Sequence, residues 1–309
     1  MRPVAITLLL FASLAFVARA QSQSPEDDKR DRRYNSVLWT QVSPEYAVAV
    51  KQTYRMAKLQ LTARLADKNH SADEVQRQAQ DFAGKPPAII LDVDETVLDN
   101  SAYNARNIQD HGEFAPLSWN AWIDESAAPA IPGAVDFIKF AESEGVKVFL
   151  VSNRRDKHVD ATHVNLKQVG LDVPKERLLF RNDEAGRGGS KITRRAMVAE
   201  DYRIVLLVGD NIADLCADAE DPKAALGKME ALGSGWVMLP NAMYGGWERS
   251  GRTLRTQRTS RPVASASVEP RPSQTVPIGT PAPVVQLVYE LRYCPVCRCW
   301  YYAPTQCPR

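Results

Sequence analysis

Residues 90–103 read ILDVDETVLDNSAY. The apolar run Ala88 to Leu91 breaks abruptly into Asp92-Val93-Asp94-Glu95-Thr96. A short apolar run that ends in polar residues fits a strand buried on both faces. Comparable runs follow at Val146 to Val151, Arg203 to Val208 and Trp236 to Leu239, with a shorter one at Leu178 to Phe180. Helical stretches lie between them, such as Ala134 to Glu144 and Lys191 to Glu200. Apolar runs alternating with helices predict an α/β fold of three layers: a Rossmann-like parallel sheet with helices on both faces. In such sheets ligands sit at the carboxyl ends of the strands.

Those ends carry the chemistry. The first run ends in Asp92 and Asp94, the second in Ser152-Asn153-Arg154, and the third in Gly209-Asp210-Asn211 with Asp214 four residues after Asp210. Ser190-Lys191 opens the helix before the third strand. A single aspartate after a strand is commonly a helix cap or a turn residue. Four aspartates with a hydroxyl and a lysine on one rim are much harder to explain that way. Carboxylates crowded together repel and raise each other's pKa unless a cation neutralises them. An all-oxygen set suits Mg²⁺. One carboxylate can attack phosphorus, a second can protonate the leaving oxygen, and a hydroxyl and an ammonium can hold the phosphoryl oxygens. The constellation reads as metal-assisted phosphoryl transfer.

These stretches resemble a known family. ILDVDETVLDNSAY at 90–103, IPGAVDF at 131–137, VKVFLVSNR at 146–154, VLLVGDNIADL at 205–215 and VMLPNAMYGGWE at 237–248 are similar to the class C acid phosphatases of the haloacid-dehalogenase-like superfamily, as is WTQVSPEY at 39–46. The likeness covers nearly all of residues 34–248 and neither end of the chain. It implies an exported, Mg²⁺-dependent phosphatase of the 5′-nucleotidase type. Asp92 would be the nucleophile and Asp94 the general acid, then base. Asp92, the backbone carbonyl of Asp94, and Asp210 would bind the metal, with Asp214 completing the acidic set. Ser152 and Lys191 would hold the transferring phosphoryl group, with Asn153 and Arg154 beside it.

Substrate choice falls to residues 99–130, long enough for a small, mainly helical cap and containing Trp119 and Trp122. Tyr244 and Trp247 follow the Trp236 strand. Aromatic faces stack on nucleobases, so Trp119 and Tyr244 are the candidate substrate contacts, while Trp122 and Trp247 are as consistent with core. The implied partners are small phosphate monoesters, nucleoside monophosphates first. Two other functions share these residues: a phosphotransferase handing the same phosphoryl group to an alcohol, and a non-enzymatic nucleotide-binding envelope protein. The scattered histidines are expected to be structural, with His158 and His163 on helix surfaces.

Upstream, Ser43-Pro44 has the form of a helix cap followed by proline at the first helical position. Tyr46, Val50, Tyr54, Ala57 and Leu61 then recur at helical spacing, and a further helix is expected from Asp73. Residues 1–20 have the form of a signal peptide. Arg2 precedes an apolar run of 14 residues, Val4 to Val17, and Ala18-Arg19-Ala20 follows. A spanning helix needs about 20. The first cysteine is Cys216, so no cysteine for lipid attachment stands near that cleavage site. A soluble, periplasmic or secreted product is expected, with residues 21–33 as a flexible lead-in.

At the other end, residues 249–283 are rich in Ser, Thr, Pro and Arg and read as a disordered basic linker. Residues 284–289 could form a short strand. The tail 284–309 holds Cys294, Cys297, Cys299 and Cys307. They admit two disulfides, half of a zinc site, or no packed role; export and the lack of a second zinc-type spacing favour disulfides. Cys216 reads as a small buried apolar residue. The chain's net charge of +2 gives no whole-chain reason to expect a nucleic-acid polymer as partner. That average combines a body (34–248) of 24 basic and 31 acidic residues with a tail (249–309) of 9 basic and 2 acidic ones.

Overall fold

The computed structural model describes residues 31–216, 227–228 and 234–249 and, as backbone, two strands near the C-terminus. The expected signal peptide, most of the lead-in, the linker beyond Arg249, and Cys297 and Cys307 lie outside the described residues.

The first helices among the described residues are α1 (Tyr34–Val42), which no reading of the sequence anticipated, and α2 (Pro44–Ala66). Ser43 caps α2, its Oγ accepting from the Tyr46 amide at 3.1 Å, an interaction worth about 1 kcal/mol. The expected stripe Tyr46, Val50, Tyr54, Ala57 and Leu61 is buried. Asp73 caps the short α3 (Glu74–Ala79) through the Gln76 amide. Strand β1 (Pro87–Leu91) follows, then α4 (Ser101–Gln109), α5 (Pro116–Glu125) and α6 (Ala134–Ser143). Next come β2 (Lys147–Arg155), α7 (Val159–Gln168), β3 (Leu178–Arg181), α8 (Ile192–Asp201), β4 (Arg203–Gly209), α9 (Ile212–Leu215) and β5 (Trp236–Met238).

The five strands form one parallel sheet in the order β3-β2-β1-β4-β5. Alternation along the strands sends side chains to two cores. From β1, Ile89 and Leu91 enter the core beneath α2 and α6, while Ala88 and Ile90 enter the one beneath α8. From β2, Val148 and Leu150 take the first side, and Phe149 and Val151 the second. The three-layer architecture read from the sequence is present, with β1 central. One expectation was short: β2 runs on through Ser152-Asn153-Arg154-Arg155, so these polar residues belong to the strand rather than to a loop after it.

Between β1 and α6, helices α4 and α5 form the expected helical cap. Tyr103 of α4, Phe114 and Trp119 of α5 make a ring cluster, with centroids 5.0 Å apart for Tyr103–Trp119 and 6.2 Å for Phe114–Trp119. The last residues of the lead-in are ordered against this cap: Arg33 pairs with Asp31 at 2.7 Å and donates to the Gly112 carbonyl at 2.8 Å. His158 corrects its surface assignment. It is buried in a 3-10 turn after β2, its ring nitrogens 3.1 Å from Asp124 and 3.0 Å from Asn120, both of α5. Cys216 is buried, as expected. Among the described residues no helix is long and apolar enough to cross a membrane.

A separate unit, residues 254–309, contains an antiparallel pair, β6 (Tyr289–Cys294) and β7 (Cys299–Pro304). Its register sets Cys294 opposite Cys299. The strand expected over 284–289 lies outside the described residues except for Tyr289, which starts β6.

Candidate active site

The site is assembled at the carboxyl edge of β1, β2 and β4. Asp92 extends the ladder of β1, its amide donating to the Val208 carbonyl of β4 at 2.9 Å. The chain then makes a tight loop in which the Val97 and Leu98 amides both return to the Val93 carbonyl, at 2.8 and 2.9 Å. Val93, Val97 and Leu98 are fully buried. They fasten the loop from below while Asp92 and Asp94 face the rim.

Carboxylate oxygens of Asp92, Asp210 and Asp214 lie within 4.8 Å of one another. The Lys191 ammonium pairs with Asp92 and, at 2.6 Å, with Asp214. Lys191 is itself buried at the start of α8. Burial pushes the Asp92 carboxyl well above its usual range; Lys191 opposes this, while Asp214, Asp210 and Asp94 add to it. Burial, reinforced by Asp214, raises Asp210 to about 7 against the hydrogen bond from Asn241. Burial works against the Lys191 charge, but Asp214 and Asp92 outweigh it and hold the ammonium above its ordinary range. One buried ammonium thus pairs with two of three crowded carboxylates. Such a hard, oxygen-only and under-neutralised donor set fits a small divalent ion.

Asp214 has a second duty. Its Oδ2 accepts from the Asn211 amide at 2.9 Å in the capping box of α9, leaving Oδ1 toward Lys191. Gly209 makes the approach possible, because a Cβ there would overlap the Asp214 carboxylate.

Asp94 stands apart from this cluster. Its carboxylate meets Arg154 of β2 at 2.8 Å and receives the Asn100 side-chain amide at 2.9 Å and the Ser152 hydroxyl at 3.3 Å. The Arg154 side chain is only 1% exposed and also donates to Thr162 at 3.0 Å. It is thus engaged with Asp94, although the sequence had suggested the phosphoryl group. Ser152 is buried, and its Oγ accepts from the Arg154 amide at 3.0 Å. Asn153 is exposed and accepts from Arg194 at 2.6 Å.

The model of HAD superfamily, subfamily IIIB (acid phosphatase) sequences matches residues 23–247. The chain belongs to this subfamily.

Solved structures agree with the subfamily IIIB assignment. The class C acid phosphatase of Bacillus anthracis is 33% identical with a TM-score of 0.62, covering 72% of this chain and 87% of that one. The same enzyme with tungstate bound gives a TM-score of 0.61 at the same identity and coverage. Among plant proteins, Acid phosphatase 1 of Solanum lycopersicum is 30% identical over 158 residues, half of this chain and 57% of that protein. Vegetative storage protein 1 of Arabidopsis thaliana is 29% identical over 138 residues, 42% of this chain and 49% of that protein. The chain therefore spans about half the length of these plant relatives.

Within the subfamily IIIB framework, four residues join the site that the sequence reading passed over. Thr96 Oγ1 donates to Asp210 Oδ1 at 3.2 Å and Asn241 Nδ2 to Asp210 Oδ2 at 2.8 Å, so both carboxylate oxygens are oriented. Asn100 holds Asp94. Arg194, fully buried, donates to the Ser152 carbonyl, to Asn153 and to the Gly188 carbonyl at 3.1 Å, tying the end of β2 to the segment before Lys191. Burial lowers its pKa to about 10. The adjacency of Thr96 to the DVDE run and of Arg194 to Lys191 was the available signal; Asn241 stood two residues beyond the Trp236 to Leu239 run, with no charge to mark it. Trp119 is half-buried, its ring 5.7 Å from the Arg154 guanidinium carbon. Tyr244 is half-buried against the cluster of Val37, Ile108 and Met243. Trp122 is buried and Trp247 is 56% exposed.

Proposed function

We propose that the chain is an exported, Mg²⁺-dependent acid phosphatase that hydrolyses phosphate monoesters, nucleoside monophosphates among them, through an aspartyl-phosphate. One observation carries this reading. Two carboxylates two residues apart have opposite surroundings: Asp92 lies among Asp210, Asp214 and Lys191, and Asp94 lies on Arg154. Paired groups in divergent environments mark divided roles; burial raises the Asp92 carboxyl in the absence of a cation, and a divalent ion held by Asp92 and Asp210 would keep Asp92 ionised for attack.

In this scheme an Asp92 oxygen attacks phosphorus, and the ester oxygen departs with a proton from Asp94. Asp94 then takes a proton from water, whose oxygen attacks the aspartyl-phosphate. Inorganic phosphate leaves and Asp92 is regenerated. Ser152 and Lys191 hold the phosphoryl oxygens. Asp92, the Asp94 carbonyl and Asp210 would hold the metal, with Asp214 completing the acidic set. When bound, Mg²⁺ offsets the repulsion between the anionic nucleophile and the anionic ester. That the Bacillus anthracis enzyme was solved with tungstate, a tetrahedral oxyanion, supports a phosphoryl site on this framework. The cap rings, Trp119 foremost, and Tyr244 supply aromatic surface for a base.

The Asp92–Asp94 pair favours an enzyme over a pure binder, which needs no second carboxylate. Export rests on the signal-like residues 1–20, and N-terminal sequencing of the mature protein tests it. The activity is tested by phosphate release across nucleotides and sugar phosphates, with and without Mg²⁺. Asp92→Asn should abolish release while retaining the far-ultraviolet dichroism of the parent; turnover by this variant overturns the mechanism. Acceptor alcohols added to the assay would divert product to new esters if the chain were a phosphotransferase.

A further inference from the structure

The hydrogen bonds around Asp94 are unequal. Oδ1 receives three donors: Asn100 Nδ2 at 2.9 Å, Arg154 Nη2 at 2.8 Å and Arg154 Nε at 3.0 Å. Oδ2 has only longer contacts, with Ser152 Oγ and Arg154 Nε, both at 3.3 Å. The arrangement is locked from the cap. Trp122 of α5, 3% exposed, donates its indole N–H to Asn100 Oδ1 at 2.8 Å, and Arg154 Nη2 reaches the same oxygen at 3.4 Å. Indole and guanidinium are donors only. They therefore fix which end of the Asn100 amide is oxygen, and its NH₂ must face Asp94. Asn100 is itself fully buried, its backbone amide held by Glu95 Oε1 at 2.8 Å.

We propose that Trp122, Asn100 and Arg154 form a positioning relay that saturates Asp94 Oδ1 and leaves Oδ2 as the oxygen that passes the proton to the leaving group. This rests on the phosphatase reading and deepens it. Trp122 becomes a positioning residue, so the cap helix contributes to leaving-group departure as well as to the walls of the site. Arg154 likewise acts through Asp94 rather than on the phosphoryl group.

The test is a leaving-group series read as kcat/KM, which reports the steps up to departure of the ester oxygen. p-Nitrophenyl phosphate needs little protonation of its leaving oxygen, whereas an alkyl phosphate needs it fully. Asp94→Asn, the reference, should slow the alkyl ester far more than the p-nitrophenyl ester. Trp122→Phe keeps the apolar bulk and loses the donor; Asn100→Ala removes the middle of the relay. Each should slow the alkyl ester by roughly tenfold, a part of the general-acid contribution, and leave p-nitrophenyl phosphate within about twofold. Equal losses on both esters in both variants, or no loss on either, would overturn the relay. If Asp94→Asn itself shows no leaving-group dependence, the phosphatase scheme fails instead, so the two failures are distinguishable. Should one variant not fold, the other decides.

Discussion

Single residues in this site act through the atoms they hold. Asp210 has one oxygen bound by Thr96 and the other by Asn241. In the metal-binding role proposed for Asp210, such partners would orient the ligand, and loss of partners of this kind typically costs 10–100-fold in metal affinity or activity. Asn241→Ala should therefore raise the Mg²⁺ concentration for half-maximal phosphate release by roughly tenfold or more, with little change at saturating metal. A metal titration of both proteins checks it. The aspartates were legible from sequence because each follows an apolar run, so the topology alone brings them to one rim. Asn241 was not, because its meaning is a bond to a residue 31 positions away. Arg154 was legible as a site residue, but its target was not: the sequence put it beside the phosphoryl group, and the extension of β2 aims it at Asp94.

At the scale of elements, strand ends and helix starts set the distances. Gly209 closes β4, and a methyl group there would collide with Asp214. Gly209→Ala should weaken metal binding and phosphate release together, although no ligand has been removed; isothermal titration with Mg²⁺ against parent checks it. Helix α8 is fastened by Arg195, whose Nε meets Asp73 at 3.0 Å with both side chains 4% exposed and whose Nη1 donates to the Asp214 carbonyl at 3.0 Å. Removing one partner leaves a buried charge uncompensated. Arg195→Met should cost about 3–5 kcal/mol, read as a lower urea midpoint. The helices and strands were largely predictable from periodicity and capping: Ser43-Pro44 and Asp73 start helices as their chemistry requires. Helix α1 escaped because its apolar residues show no strong stripe and no side chain caps it.

For the molecule as a whole, the cap is joined to the sheet by charged and polar contacts as well as by packing. His158 is one of them, its ring held below an ordinary pKa by burial, which outweighs the pull of Asp124. A histidine depressed in the folded state stabilises fully above its unfolded value of 6.5, and the contribution is lost as pH falls through the folded value. The thermal midpoint should thus decline below about pH 6.5, and less so in His158→Gln, as differential scanning calorimetry would show. Residues 254–309 form their own unit, and the subfamily match ends at residue 247. Truncation after Glu248 should leave phosphate release unchanged on the same substrate panel. The composition shift at Arg249 lies between these two limits, whereas the facing of Cys294 and Cys299 across the strand pair comes from the backbone register.

The bond from Trp122 to Asn100 also bears on how such enzymes can diversify. A cap inserted between β1 and α6 looks exchangeable, since both its ends return to the same sheet. Here, however, one of its side chains is a fixture of the centre it covers. A transplanted cap of new specificity would have to bring a buried donor to that spot. Libraries that vary Phe114, Leu117 and Trp119 while keeping Trp122 are the more promising route to altered selectivity.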